Sequence, residues 1–121
     1  MGLDMYANTT KRRLRTGVDF RVVESDAQLY TWRKHPNLHG WMEKLYSAKG
    51  GEKEFNCTTV QLTLDDIDQL ELDIKRGCLP ATEGFFFGQS DGSERDDDLV
   101  FIAAARAAFA SGLCVYYRSW W

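Results

Sequence analysis

With three cysteines and two prolines in 121 residues, the chain lacks most of the devices that hold a small secreted domain together. Cys57, Cys78 and Cys114 are odd in number, and no two have metal-ligand or redox spacing. A disulfide scaffold and a zinc fold are therefore excluded, and free thiols in a reducing cytosol are expected. No apolar run approaches the roughly 18 residues of a membrane helix. The first residues carry an acid, Asp4, where a secretory leader needs basic charge, so a soluble cytoplasmic protein is expected. No glycine-rich loop runs into Lys and Ser or Thr, which excludes a phosphate loop of that kind. No serine stands in a nucleophile-elbow sequence. No low-complexity or linker-like stretch divides the chain, so residues 1–121 read as a single domain.

What remains is an ordinary globular composition, 44% apolar and 27% charged. The net charge of −3 hides an asymmetry: residues 1–60 carry ten basic and seven acidic side chains, residues 61–121 five and eleven. A net acidic chain makes a poor general nucleic-acid binder. The basic stretch Lys11–Arg15 reads as a solvated loop.

Hydrophobic periodicity orders the elements. Leu3 to Asn8 alternates and predicts a strand; Val18, Phe20 and Val22 suggest a second, short one. Ser25-Asp26-Ala27-Gln28 has the form of a capping box and predicts a helix to about Lys34. Pro36 suits the first turn of a new helix, which Leu38, Trp41, Met42 and Leu45 continue to Gly50. A strand is expected over 55–62, a helix capped near Thr63 and closed by Gly77, a covered strand over 84–88, an alanine-rich helix from about Glu94 to Ala110 opened by Ser93-Glu94-Arg95-Asp96, and a terminal strand over 113–121. The fold class is α+β: a mostly antiparallel four- to five-stranded sheet with about four helices, mainly on one face. On the terminal strand Trp120 and Trp121 must face opposite sides of the sheet. At most one of them lies under the helices.

Candidate sites are few. His35 and His39 are four apart, but Pro36 breaks the shared helical register that a metal pair needs; His35 is placed to fix the helix junction by hydrogen bonding. Asp91, Asp96, Asp97 and Asp98 offer oxygens to a hard cation, yet acids at a helix start are expected from its dipole. Cys57 and Cys114 read as small hydrophobes on strands. Tyr30, Trp32, Trp41, Trp120 and Trp121 exceed what one small core needs, and Trp, Tyr and Arg dominate binding hot spots.

Four stretches, Gly2-Leu3-Asp4-Met5-Tyr6, the run from Trp32 to Met42, Gly84 to Gly88 with Ser90-Asp91-Gly92, and Tyr116-Tyr117-Arg118-Ser119-Trp120-Trp121, resemble a family of small uncharacterised proteins of bacteriophages and their hosts, some of them labelled phosphoglycerate kinase. The chain is far too short for that two-domain enzyme. The resemblance implies a phage or mobile-element accessory protein in the cytoplasm of a bacterial host. It supplies no catalytic residues and no cofactor.

The leading expectation is a non-enzymatic protein that binds a host or phage protein through Trp32, His35, Trp41, Asp91, Asp96, Asp97, Trp120 and Trp121, with inhibition of a bacterial defence system as the role the resemblance suggests. No membrane and no metal enter that reading. The alternative is a small metal-dependent enzyme or ligand-binding protein using the Asp91–Asp98 turn with His35 or His39. A third is self-association, as a homodimer, through the edge of the terminal strand.

Overall fold

A computed structural model of the chain describes residues 2–84 and 87–121. In chain order the elements are β1 (Asp4–Thr10), β2 (Ala27–Arg33), α1 (Pro36–Ala48), β3 (Thr59–Leu62), α2 (Leu64–Lys75), α3 (Arg95–Ala110) and β4 (Cys114–Trp120). The four strands form one sheet in the order β2-β1-β4-β3, every neighbouring pair antiparallel. The α+β class stands, with four strands and three helices among the described residues.

Period two divides the sheet into two faces. Met5 lies opposite Trp32 and Ser119, Ala7 opposite Tyr30 and Tyr117, and Leu62 opposite Val115. This face joins Leu38 and Met42 of α1, Ile67, Leu70 and Ile74 of α2, and Phe101, Ile102 and Ala105 of α3 in one core. Ala105 and Ala108 are buried along α3, where small side chains let that helix approach the sheet. On the other face Asp4 opposes Arg33 and forms an ion pair with it at 3.4 Å. Tyr6 opposes Thr31 and Arg118, and Asn8 opposes Tyr116.

The predicted helix from Ser25 does not form; Ala27–Arg33 is β2 instead. Tyr30, Thr31 and Trp32 favour an extended backbone, and alternation sends Tyr30 and Trp32 onto Phe101 of α3. The capping-box acid has other work. Asp26 Oδ2 accepts from Arg12, from the Val23 amide and from the Tyr116 hydroxyl. Arg12, read as part of a solvated loop, is thereby tied to the fold and also donates to the Arg21 carbonyl at 2.8 Å.

Val18, Phe20 and Val22 make no strand; a single bridge joins Val18 to Val60. The strand expected over 55–62 is shorter, Thr59–Leu62. Cys57 therefore lies in a loop, exposed and at φ +60°, and Cys114 is half-buried. Of the strand expected over 84–88, Phe85 and Phe86 lie outside the described residues. Phe87 is buried, and its amide donates to the Gly84 carbonyl at 3.1 Å.

Helix ends follow the sequence signals in one case and depart from them in another. Thr63 and Asp66 exchange hydrogen bonds in a capping box at the start of α2. At α3 no side chain caps the helix. Glu94 instead accepts from the amides of Asp91 and Gly92, and Ser93 donates to Asp91. Gly40 of α1 marks a close approach: a Cβ there would lie 1.9 Å from Thr82 Oγ1. The chain after α2 thus crosses directly over α1.

Candidate functional site

The predicted site residues divide between two places. At the first, His35 ends β2's connection to α1 as the N-cap residue, with Pro36 entering the helix. Its ring is buried, at 3% exposure, yet meets polar atoms on both sides. Nε2 lies 2.8 Å from Asp98 Oδ2 and Nδ1 lies 2.6 Å from Ser90 Oγ. The Trp32 indole donates to Asp98 Oδ1 at 3.0 Å, and the Asn37 amide donates to Ser90 Oγ at 3.1 Å. Asp98, at 2% exposure, thus has both oxygens engaged. Its burial is tolerated because each oxygen has a donor. A cleft of about 270 Å³ opens beside this network, with Ile74, Leu79, Ser90, Glu94 and Arg95 in its wall.

Asp91 is exposed near this cleft, its carboxyl held below the usual range by hydrogen bonds from Ser93. Asp96 and Asp97 are exposed on the first turn of α3 and take no part in the network. His39 does not join His35. One turn on, it meets the Tyr117 hydroxyl at 2.7 Å among the rings of Phe55 and Phe87. Burial pushes its pKa down to about 4, so it is neutral at pH 7. Burial likewise drives the Tyr117 phenol far above its ordinary value. Among the described residues no three His, Cys, Asp or Glu side chains come together as a metal site. Sequence spacing gave no hint of the Ser90–His35 contact, which spans 55 positions.

The second place is the sheet face opposite the helices. Trp120 stands there at 59% exposure. The Arg118 guanidinium lies 5.8 Å from the centre of the Tyr6 ring, a cation–π distance. These three side chains, with Asn8, Asp26 and Gln28, line a groove of about 430 Å³ whose wall is the segment 22–24. Phe20 meets Tyr116 edge-on and closes the adjoining part of the face. Burial raises the Asp26 carboxyl, but hydrogen bonds from Thr10, Tyr116, the Val23 amide and Arg12 outweigh it and leave the group below its ordinary value. Burial and the Asp26 carboxylate push Tyr116 up to about 12.

Trp121 faces the other way, as alternation requires. Its indole donates to the Phe55 carbonyl at 2.9 Å, its backbone exchanges hydrogen bonds with the Asn56 amide, and its ring meets Phe87. Trp41 is half-buried and donates to Asp73 at 2.8 Å. The eight candidates therefore do not form one surface: Trp32 and His35 are interior, Trp41 and Trp121 are partly covered, and Trp120 lies apart from Asp91, Asp96 and Asp97. Tyr6 and Arg118, which the sequence reading passed over, are Trp120's neighbours. The shared parity of Tyr116, Arg118 and Trp120 was the signal that could have found Arg118.

β4 lies between β1 and β3, so the terminal strand has no free edge, and self-association through that edge is overturned. β2 and β3 are the edge strands instead.

No helix among the described residues is long and apolar enough to cross a membrane. Comparison with protein-family models, with curated proteins and with solved structures finds no match.

Proposed function

We propose that the protein acts by binding another protein through the helix-free face of its sheet. The observation that carries this reading is Trp120, exposed on an ordered central strand beside Arg118 and Tyr6 at the floor of a groove. A large indole in that position gains no core packing, and Trp, Arg and Tyr are the residues that dominate interface energetics. Arg118 forms no ion pair among the described residues. The partner would offer an apolar side chain to Trp120 and a carboxylate to Arg118. The phage-like motifs support an accessory role in a bacterial host, inhibition of a defence system included.

The test is affinity capture from a bacterial host lysate with the wild-type chain, Trp120→Ala and Arg118→Ala, followed by measurement of the recovered partner's affinity. Loss of about 2 kcal/mol or more of binding in Trp120→Ala, with thermal stability kept, is the expected result. A partner bound equally well by both variants would remove the groove from the function.

A further inference from the structure

The network at the start of α1 links a hydroxyl, an imidazole and a carboxylate in line. Asp98 accepts on both oxygens: from the Trp32 indole on Oδ1, and from the His35 ring on Oδ2. An ionised carboxylate has no proton to give, so it selects the ring hydrogen on Nε2, and in the neutral imidazole Nδ1 is then the acceptor. The group facing it at 2.6 Å is the Ser90 hydroxyl. That oxygen also accepts from the Asn37 amide at 3.1 Å, and its own hydrogen can be given to the neutral imidazole. With the ring neutral, Ser90 is a hydroxyl placed to give its proton to a histidine whose tautomer a buried carboxylate selects. A nucleophile, a base and an orienting acid in that relation are the working parts of acyl transfer, here with the two ring nitrogens exchanged.

The surroundings suit the same chemistry. Ser90 is only half-buried, while His35 and Asp98 are closed off from water. The cleft gives Ser90 an apolar wall in Ile74 and Leu79 and a cation in Arg95. Arg95 forms no ion pair among the described residues. Arg95 and the N-terminus of α1 offer positive charge on the side of Ser90 Oγ, with the Glu94 carboxylate in the same wall.

We propose that Ser90, His35 and Asp98 form an acyl-transfer site that hydrolyses small esters with short aliphatic acyl groups. Ser90 Oγ attacks the ester carbonyl carbon while its proton passes to His35 Nδ1. The tetrahedral oxyanion collapses, the bond to the alcohol oxygen breaks, and the departing alkoxide takes that proton and leaves as the alcohol. Water, giving a proton to Nδ1, then attacks the acyl-Ser90 carbonyl; the Oγ–acyl bond breaks, Oγ recovers the proton, and the carboxylic acid is released. Ser90 and His35 are the catalytic residues. Asp98 and Trp32 are positioning residues, acting through the tautomer of His35. This site lies on the helix-covered side of the molecule, away from the Trp120 groove, and stands or falls independently of it.

The test uses the full chain, an alkyl fluorophosphonate probe and p-nitrophenyl acetate. Peptide mass spectrometry of the labelled wild type is expected to place the adduct on Ser90. Ser90→Ala, at a half-exposed loop position, keeps the fold, and its p-nitrophenol release falls on the order of 10²-fold or more. Asp98→Asn separates positioning from structure. With its amide oxygen held by Trp32, its NH₂ donates to His35 Nε2, moves the ring hydrogen to Nδ1 and removes the acceptor that Ser90 needs. Labelling of a folded Asp98→Asn is then expected to slow by a comparable factor, with the tautomer change visible in imidazole ¹⁵N NMR. A wild type that leaves Ser90 unlabelled, or a Ser90→Ala variant that hydrolyses the ester as fast as wild type, overturns the proposal whether or not Asp98→Asn folds.

Discussion

The two faces of the sheet draw on the same strands and come to opposite ends. On the helix-covered face Met5, Ala7, Val115 and Tyr117 are wholly buried, and even the polar groups there are paired, His39 with Tyr117 and His35 with Asp98. On the other face Tyr6, Arg118 and Trp120 are left to a groove bounded by a loop. Neighbouring residues of the chain, Tyr117 and Arg118 or Trp120 and Trp121, therefore belong to different physical problems. Burial governs one side, where loss of a contact is felt by the whole fold. The other side has aromatic and charged groups that folding does not consume, and those are the groups available to a partner.

The sharpest way to break the comparison is to empty the covered face. Tyr117→Ala removes a ring packed on Phe55 and leaves His39 without its hydroxyl partner. It is expected to lower stability by about 3–5 kcal/mol, measured by urea unfolding.

Acid acts on the same place next. His39 titrates near 6.5 when unfolded and at about 4 when folded. Between those values the unfolded chain binds the additional proton, so stability rises with pH in that window. The contribution is fully present above pH 6.5 and is lost as pH falls toward 4. The difference of about 2.5 units corresponds to about 3 kcal/mol. Unfolding midpoints taken at pH 7 and pH 4.5 should show the loss in the wild type and a weaker one in His39→Gln. Equal pH dependence in the two proteins would mean that His39 is not the group responsible.

The smallest and most discriminating effect separates the terminal pair. Trp121→Ala gives up the Phe87 contact and the hydrogen bond to Phe55 and is expected to cost about 2 kcal/mol. Trp120→Ala, at an exposed position, should stay within about 0.5 kcal/mol of wild type. Thermal melts of the two variants side by side check this. Equal losses would show that the helix-free face is structural after all.

Local chemistry made some elements legible in advance. Alternation in β1 and β4, Pro36 at the first turn of α1 and the Thr63 cap of α2 needed no knowledge of the rest of the chain, because each rests on neighbours within a few residues. The same locality misled at Ser25. A capping-box pattern there competes with the pairing of Ala27–Arg33 to β1 and with the packing of Tyr30 and Trp32 on Phe101, and those contacts prevail. The candidate sites were legible only in part. Trp120 and Trp121 were divided correctly by parity, and His35 was placed at its junction, but the partners of His35 lie 55 and 63 positions away.

By itself, then, the sequence determined the α+β class, the helix boundaries set by proline and caps, and the opposed directions of the last two tryptophans, since all of these follow from backbone sterics and side-chain period. The tertiary structure alone decided that β4 is a central strand rather than an edge. It also decided that Trp32 turns inward to hold Asp98, and that Ser90 meets His35. Those outcomes depend on which distant surfaces bury each other, and no local periodicity encodes that choice.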